Sequence, residues 1–162
     1  AELYDITSNL CEERGLSAYE VSNYARKGFE SVHNLVYWRY GDYIGIGPGA
    51  HGRLTVDGKK YATETFLSPE EWLTKVEHQG SGESCLTELS TEQQAAEMVM
   101  MGLRLYEGVN GKRFENISGS SFSENKLTFL KSMKLIDQKE ENIIATFSGR
   151  KVLNSVLAEL LN

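Results

Sequence analysis

The order of secondary-structure patterns in residues 90–162 constrains the fold more than any other feature of the sequence. The predicted elements are a helix over about 90–105, a loop over 107–121 with one short helical turn, a helix over 123–133, two short strands over 134–147 and a helix over 148–161. The first helix opens on a capping box of Ser90 and Gln93. The last is expected to bury Val152, Val156, Leu157, Leu160 and Leu161. Helices, then a β-hairpin and a closing helix, predict an α-rich, winged-helix-like domain.

The first half of the chain mixes helices and strands. The predicted elements are a helix over 2–14, a strand over 17–25, a short strand over 43–46, a hairpin over 53–66 turning at Asp57-Gly58, and a helix over 68–80. The small polar residues 80–84 read as a linker. The sequence therefore predicts an α+β (α/β) fold with two domains, residues 1–85 and 86–162.

The charge distribution argues against a nucleic-acid partner. Residues 1–89 hold 8 Lys/Arg against 14 Asp/Glu, and residues 90–162 hold 9 of each, which sum to the 17 basic and 23 acidic residues of the chain. Binding to phosphates requires a basic surplus. A winged-helix nucleic-acid-binding module is therefore kept only as a distant alternative.

Cysteine content and hydropathy indicate the class of protein. No apolar run approaches the roughly 20 residues of a membrane-spanning helix. The two cysteines, Cys11 and Cys85, form neither a disulfide framework nor a metal-binding pair. We therefore expect a cytoplasmic protein with reduced thiols and no integral membrane segment.

Residues 33–52 (HNLVYWRYGDYIGIGPGAHG) combine two histidines, four tyrosines or tryptophans and five glycines. A porphyrin such as haem uses an axial imidazole and flat apolar walls. His33 could supply the imidazole, Tyr37 and Trp38 the walls, and Asn34 could fix the ring tautomer. A histidine held in a purely structural hydrogen bond is the alternative.

The glycines of this stretch also admit two interpretations. Gly47, Gly49 and Gly52 match the spacing of a dinucleotide-binding loop, but that motif requires a helix directly afterwards, and residues 53–56 read as a strand. A glycine-rich turn that lets the backbone approach a ligand, with His51 as a polar group, stands beside a plain tight turn.

No catalytic constellation is visible in the sequence. Glu20 and Glu30 do not form a demonstrable acid pair, and no nucleophile motif is present. His78 is expected to place a favourable charge at a helix end. The methionines are expected to fill the core.

The stretch 19–54 (YEVSNYARKGFESVHNLVYWRYGDYIGIGPGAHGRL) resembles a segment of the oxygen-independent coproporphyrinogen III oxidase family of radical SAM proteins. The spelling His33-Asn34-x-x-Tyr37-Trp38 is more similar to the haem chaperone branch of that family, called HemW. The tail, from EMVMMGLRLYEGVNGKRFE onward, resembles the winged-helix-like C-terminal domain of the family. The resemblance implies that residues 1–85 form the last elements of a radical SAM partial barrel.

The resemblance also implies cofactors and partners. It assigns haem binding to His33, Asn34, Tyr37 and Trp38, with His33 as the metal ligand, and cofactor binding to Gly45, Gly47, Gly49, Ala50 and His51. S-adenosylmethionine and a [4Fe–4S] cluster are expected in the full-length parent only, since the chain lacks the C-x-x-x-C-x-x-C motif.

The chain is therefore expected to be a C-terminal fragment that lacks the N-terminal half of the barrel and is inactive alone, with no catalytic residue of its own. Its implied function is to bind haem and deliver it to recipient haem proteins. The enzyme alternative is oxidative decarboxylation of coproporphyrinogen III.

Overall fold

A computed structural model describes residues 2–161. The helices are α1 (Glu2–Glu12), α2 (Val32–Trp38), α3 (Pro69–Gln79), α4 (Thr91–Gly102), α5 (Gly111–Ser118), α6 (Glu124–Ser132), α7 (Phe147–Lys151) and α8 (Leu153–Leu161). The strands are β1 (Ser17–Ala18), β2 (Tyr24–Ala25), β3 (His51–Val56), β4 (Lys59–Thr65), β5 (Glu83–Glu88), β6 (Val109–Asn110), β7 (Ile136–Lys139) and β8 (Asn142–Ala145). The predicted mixed helix and sheet fold is confirmed.

The chain divides into two compact units. One combines the residues up to Tyr40 with those from Ala95 onward, and the other is Gly41–Gln94. The boundary expected between residues 85 and 86 stays a prediction. Within residues 2–161 the sheets have two, three and three strands, and none closes into a barrel. No helix in this range is long and apolar enough to cross a membrane.

The C-terminal part of the first unit has a winged-helix-like arrangement. Helices α4, α5 and α6 accompany an antiparallel sheet in the order β6–β8–β7. Apolar side chains from these elements and from α8 form one core. It contains Tyr40, Met98, Val99, Leu103, Val109, Leu130, Ile136, Ile143, Ala145, Leu153, Val156 and Leu160. Tyr40 ties the N-terminal segment into this core.

Two expectations for this region are wrong. The predicted loop over 107–121 contains β6 and the eight-residue helix α5, because Asn110 caps the helix by accepting a hydrogen bond from the Arg113 amide at 2.9 Å. The closing helix is broken at Val152, which leaves the helical region (φ −125°) and is exposed rather than buried.

The N-terminal segment also differs from the prediction. Residues 17–25 form two short paired strands, β1 and β2, instead of one strand. The Glu20 carboxylate folds the chain back between them, since its Oε1 accepts hydrogen bonds from the Ser22 amide (2.7 Å) and the Asn23 side chain (2.5 Å). The apolar face of α1 is present as predicted, but its residues Leu3, Ile6 and Leu10 are exposed.

The second unit is a three-stranded antiparallel sheet, β3–β4–β5, with helix α3. The predicted turn at Asp57-Gly58 joins β3 to β4, with positive φ at both residues, as a tight hairpin turn requires. The predicted helix at 68–80 is confirmed as α3, capped by Ser68. The linker expected at 80–84 is wrong in part, because Glu83 already begins β5 and that strand pairs with β4.

Candidate functional site

The motif His33-Asn34-x-x-Tyr37-Trp38 lies on helix α2 in the first unit. Ser31 begins the helix, and its hydroxyl accepts a hydrogen bond from the Asn34 amide at 3.3 Å. The helix is only seven residues long, and none of its residues is fully buried. Such a short helix is not stable by itself, so its neighbours must hold it in place.

His33 and Tyr37 form a pair on one face of α2. They are four residues apart, a spacing that brings side chains together on a helix. The Tyr37 hydroxyl lies 2.9 Å from His33 Nε2, and the two rings meet edge to face with centroids 4.7 Å apart. The His33 side chain is exposed. The pair therefore presents an oriented imidazole to the solvent.

Asn34 does not fix the His33 tautomer, contrary to the sequence-based expectation. Its side-chain amide instead donates a hydrogen bond to the Tyr19 hydroxyl at 3.1 Å. This hydrogen bond directs the Asn34 side chain to the β1–β2 hairpin. The contact with the His33 ring is made by Tyr37.

Trp38 ends α2 against the winged-helix-like region. The guanidinium of Arg104 lies over the Trp38 ring, 4.5 Å from its centroid. Arg104 Nε is also 3.6 Å from Oε2 of Glu20, a carboxylate with no solvent exposure. The tryptophan is thus packed against a cation and is partly buried.

A second ion pair follows directly after α2. Arg39 donates two hydrogen bonds to the Glu107 carboxylate, at 2.7 and 2.9 Å. This hydrogen bonding lowers the pKa of Glu107, and the same bond raises the pKa of Arg39. The Arg113 guanidinium donates to the main-chain carbonyls of Arg39 and Tyr40. The chain leaving the motif is therefore fixed at several points.

The glycine-rich residues predicted to bind a cofactor belong to the second unit. The strand expected at 43–46 is reduced to a single bridge between Tyr43 and Arg53. The backbone at Gly45 lies so close to the His51 carbonyl that a Cβ there would be 2.4 Å from its oxygen. Only glycine tolerates that approach.

Several polar groups of this loop bond within the unit. The Ala50 amide donates to Thr65 Oγ1 at 2.8 Å, and the same hydroxyl donates to the Gly47 carbonyl at 2.6 Å. The Gly49 amide donates to the Phe66 carbonyl at 2.8 Å. These bonds give the loop a structural role, and its assignment to cofactor binding stays a prediction.

His51 begins β3 beside a cavity of about 500 Å³. Its Nδ1 is 3.8 Å from the Glu64 carboxylate on the paired strand β4, and both side chains are more than half exposed. Phe66 and Leu67 line the same cavity. The assignment of His51 to cofactor binding also stays a prediction.

Neither cysteine contributes to a metal centre among residues 2–161. Cys11 lies on α1 and Cys85 on β5, and both are free thiols. Across this range no three His, Cys, Asp or Glu side chains are grouped so that they could hold a metal ion. The two cysteines do not fit the three-thiolate motif of a radical SAM cluster.

The chain is similar to known proteins along almost its whole length. Residues 89–152 match the family described as the HemN C-terminal domain. The chain is 33% identical over 164 residues to the heme chaperone HemW of Bacillus subtilis (strain 168), an alignment that covers 99% of the chain and 42% of that protein. The chain is HemW- and HemN-like. The resemblance predicted from residues 19–54 and the tail is thereby confirmed.

Two further proteins match over a similar span. The mitochondrial radical S-adenosyl methionine domain-containing protein 1 of Danio rerio is 32% identical over 171 residues, which covers 99% of the chain and 38% of that protein. The solved structure of coproporphyrinogen III oxidase (HemN) from Escherichia coli superposes with a TM-score of 0.68 at 16% identity, over 96% of this chain and 39% of that one. The chain thus spans about two fifths of the length of the proteins it matches.

Sequence reasoning missed the residues that hold the motif helix. Glu20 was considered only as a member of an acid pair with Glu30. In the structure Glu20 is buried beside Arg104, and Glu30 accepts hydrogen bonds from the Gly28 amide. The one sequence signal for Glu20 is that it follows Tyr19 in the stretch 19–54 that resembles the family. That position does not predict the contact with Arg104.

Proposed function

We propose that this chain is the haem-binding C-terminal part of a HemW-like radical SAM haem chaperone, and that His33 is the axial ligand of the haem iron. The observation that carries the proposal is the exposed His33 imidazole, held by the Tyr37 hydroxyl on a helix that carries the full His-Asn-x-x-Tyr-Trp motif. Haem is the cargo in this function, and delivery to recipient haem proteins would follow its binding.

The hydrogen bond of His33 supports one nitrogen as the ligand. A histidine that binds a metal through one ring nitrogen commonly holds the other in a hydrogen bond, which fixes the tautomer and orientation of the ring. Tyr37 occupies Nε2. Within residues 2–161 the Nδ1 atom has no hydrogen-bond partner, so we assign ligation to Nδ1.

The remaining parts of the proposal concern the parent protein. S-adenosylmethionine, a [4Fe–4S] cluster, the recipient proteins and the N-terminal half of the barrel are expected there and not in this chain. A cytoplasmic location is also a proposal. The relatives include bacterial proteins named heme chaperones and proteins named mitochondrial.

The alternatives make different predictions. Coproporphyrinogen III oxidase activity would require decarboxylation of the substrate by the intact protein, and the likeness to the HemN structure supports its fold alone. Nucleic-acid binding by the winged-helix-like region is disfavoured, because residues 90–162 carry 9 basic and 9 acidic residues.

Haem titration of the 162-residue chain tests the proposal. We expect a Soret band that saturates at one haem per chain, and a dissociation constant that rises about tenfold or more in His33→Ala. His78→Ala is the matched control, since His78 is also an exposed histidine on a helix. It should bind haem as the wild type does.

Haem titration, together with a decarboxylation assay of the intact parent, distinguishes the chaperone from the oxidase. Equal haem affinity in the wild type and His33→Ala would overturn the assignment of His33. Decarboxylation of coproporphyrinogen III by the intact parent, together with haem affinity that does not depend on His33, would favour the oxidase.

A further inference from the structure

Helix α2 is attached to the winged-helix-like region through a buried charge. Glu20 has no solvent exposure, and three donors at Ser22 and Asn23 bond its Oε1. Its other oxygen, Oε2, faces Arg104 Nε at 3.6 Å. From this arrangement we infer that Arg104, held by Glu20, is a positioning residue that sets the orientation of α2 and so presents His33 to haem. The inference rests on the proposed function.

A buried ion pair is weak evidence for stability. Removing two charges from water costs free energy that their attraction only partly returns, and a hydrophobic replacement often stabilises as well. The separation of 3.6 Å between Arg104 Nε and Glu20 Oε2 is also too long for a strong charge-assisted hydrogen bond. The arrangement is therefore better explained by what it orients than by the free energy that it supplies.

What Arg104 orients is the Trp38 ring. The guanidinium lies over the ring, 4.5 Å from its centroid, and its Nε lies 3.6 Å from the Glu20 carboxylate, so one planar group contacts both. The Trp38 indole N–H is buried and donates to no hydrogen-bond acceptor among residues 2–161. The position of the ring thus depends on the face of Arg104 more than on directed hydrogen bonds.

Trp38 and His33 lie on the same helix, so the position of Trp38 sets the orientation of His33. Helix α2 buries no residue completely, and near its N-terminal end the Asn34 side chain donates a hydrogen bond to the Tyr19 hydroxyl. Tyr19 and Glu20 are adjacent in the β1–β2 hairpin, and the Tyr106 amide donates to the Tyr19 carbonyl at 3.1 Å. One hairpin therefore holds both ends of α2, through Asn34 directly and through Arg104 and Trp38.

Haem titration of Arg104→Gln in the 162-residue chain tests the inference. We expect the dissociation constant to rise about tenfold, the scale seen when a group that orients a metal-binding histidine is removed. Amide hydrogen exchange of residues 34–38 should become faster. Arg150→Gln is the matched control, because Arg150 is also half-buried and stacks on an aromatic ring, that of Tyr106 at 3.6 Å. It should leave haem affinity and exchange in α2 unchanged.

Two further variants keep the result interpretable. Arg104→Gln leaves the Glu20 charge buried and unpaired, which can destabilise the fold. The double variant Glu20→Gln/Arg104→Gln removes both charges and should restore folding, while Trp38 still lacks its cation. It should show the same loss of haem affinity. In the His33→Ala background, Arg104→Gln should cause no further loss, because Arg104 acts through His33.

The outcomes distinguish the inference from the proposed function. If His33→Ala binds haem as the wild type does, or the wild-type chain binds none, the proposed function fails and the inference with it. If His33→Ala loses affinity but both Arg104 variants keep it, with unchanged exchange in α2, only the inference fails. An Arg104→Gln loss that persists in full in the His33→Ala background also overturns it.

Discussion

Replacing Tyr40 by alanine tests whether the motif segment belongs to the winged-helix-like core. Tyr40 lies two residues after Trp38 and is only 5% exposed in that core. Its backbone has φ 54°, a strained value for a residue with a Cβ. Alanine also carries a Cβ and adopts this φ at a similar cost, so the substitution isolates the burial of the ring.

The expected loss is large relative to the stability of a domain. A buried aromatic side chain removes roughly 150–250 Å² from water. At about 25 cal/mol per Å², this corresponds to at most about 4–6 kcal/mol. Core substitutions of aromatic residues by alanine cost about 3–5 kcal/mol. We expect Tyr40→Ala to lose a similar amount, against a total of roughly 5–15 kcal/mol for a domain.

Urea denaturation followed by circular dichroism measures this loss. Phe29→Ala is the control, since Phe29 lies in the same N-terminal segment but is 81% exposed. Its free energy of unfolding should change by less than about 0.5 kcal/mol. A loss below about 1 kcal/mol in Tyr40→Ala, or equal losses in both variants, would show that the motif segment does not pack into the core.

Two further predictions concern charge and cofactor. Arg39→Gln should lower the free energy of unfolding by less than about 1 kcal/mol at neutral pH, because both partners are half-exposed. The folded-state pKa of Glu107 is lowered from 4.5 by its hydrogen bonds with Arg39. The difference in free energy of unfolding between the wild type and Arg39→Gln should therefore vanish as the pH falls through that lowered pKa. A difference that grows in acid would contradict the pairing of Arg39 with Glu107. Anaerobic reconstitution with iron and sulfide should give no stoichiometric cluster in the 162-residue chain, since two cysteines cannot form the motif; iron and sulfide analysis that finds one cluster per chain would refute this.

Local chemistry made much of the fold predictable. Asp57-Gly58 specifies a hairpin turn by its backbone preference alone. Ser90 and Gln93 bond each other's backbone amides, at 3.2 and 2.9 Å, as the capping box predicts. These signals depend on residues close in sequence, so they do not need the tertiary fold.

Elements that depend on distant partners were not predictable. The linker expected at 80–84 overlaps β5, whose six residues are all exposed and so carry no alternation of apolar and polar side chains. It is a strand because β4 offers a free edge. Helix α5 was predicted only as one short helical turn, because its apolar residues, Phe114 and Ile117, are few and lie among polar ones.

The sequence names the candidate residues of the site but not the contacts that support them. The motif spelling located His33, Asn34, Tyr37 and Trp38, and a helix over them would have predicted the pairing of His33 with Tyr37 from their spacing. The contact between Glu20 and Arg104 joins residues far apart in sequence and of common types. Only the folded structure brings them together.

The axial ligand of bound haem is the most direct test of the central claim. Ferric haem bound to the 162-residue chain can be examined by electron paramagnetic resonance and magnetic circular dichroism, which distinguish histidine-ligated iron from unligated iron. We predict a histidine-ligated spectrum in the wild type and in His78→Ala, and its loss in His33→Ala. The same histidine-ligated spectrum in His33→Ala would contradict the claim that His33 binds the iron.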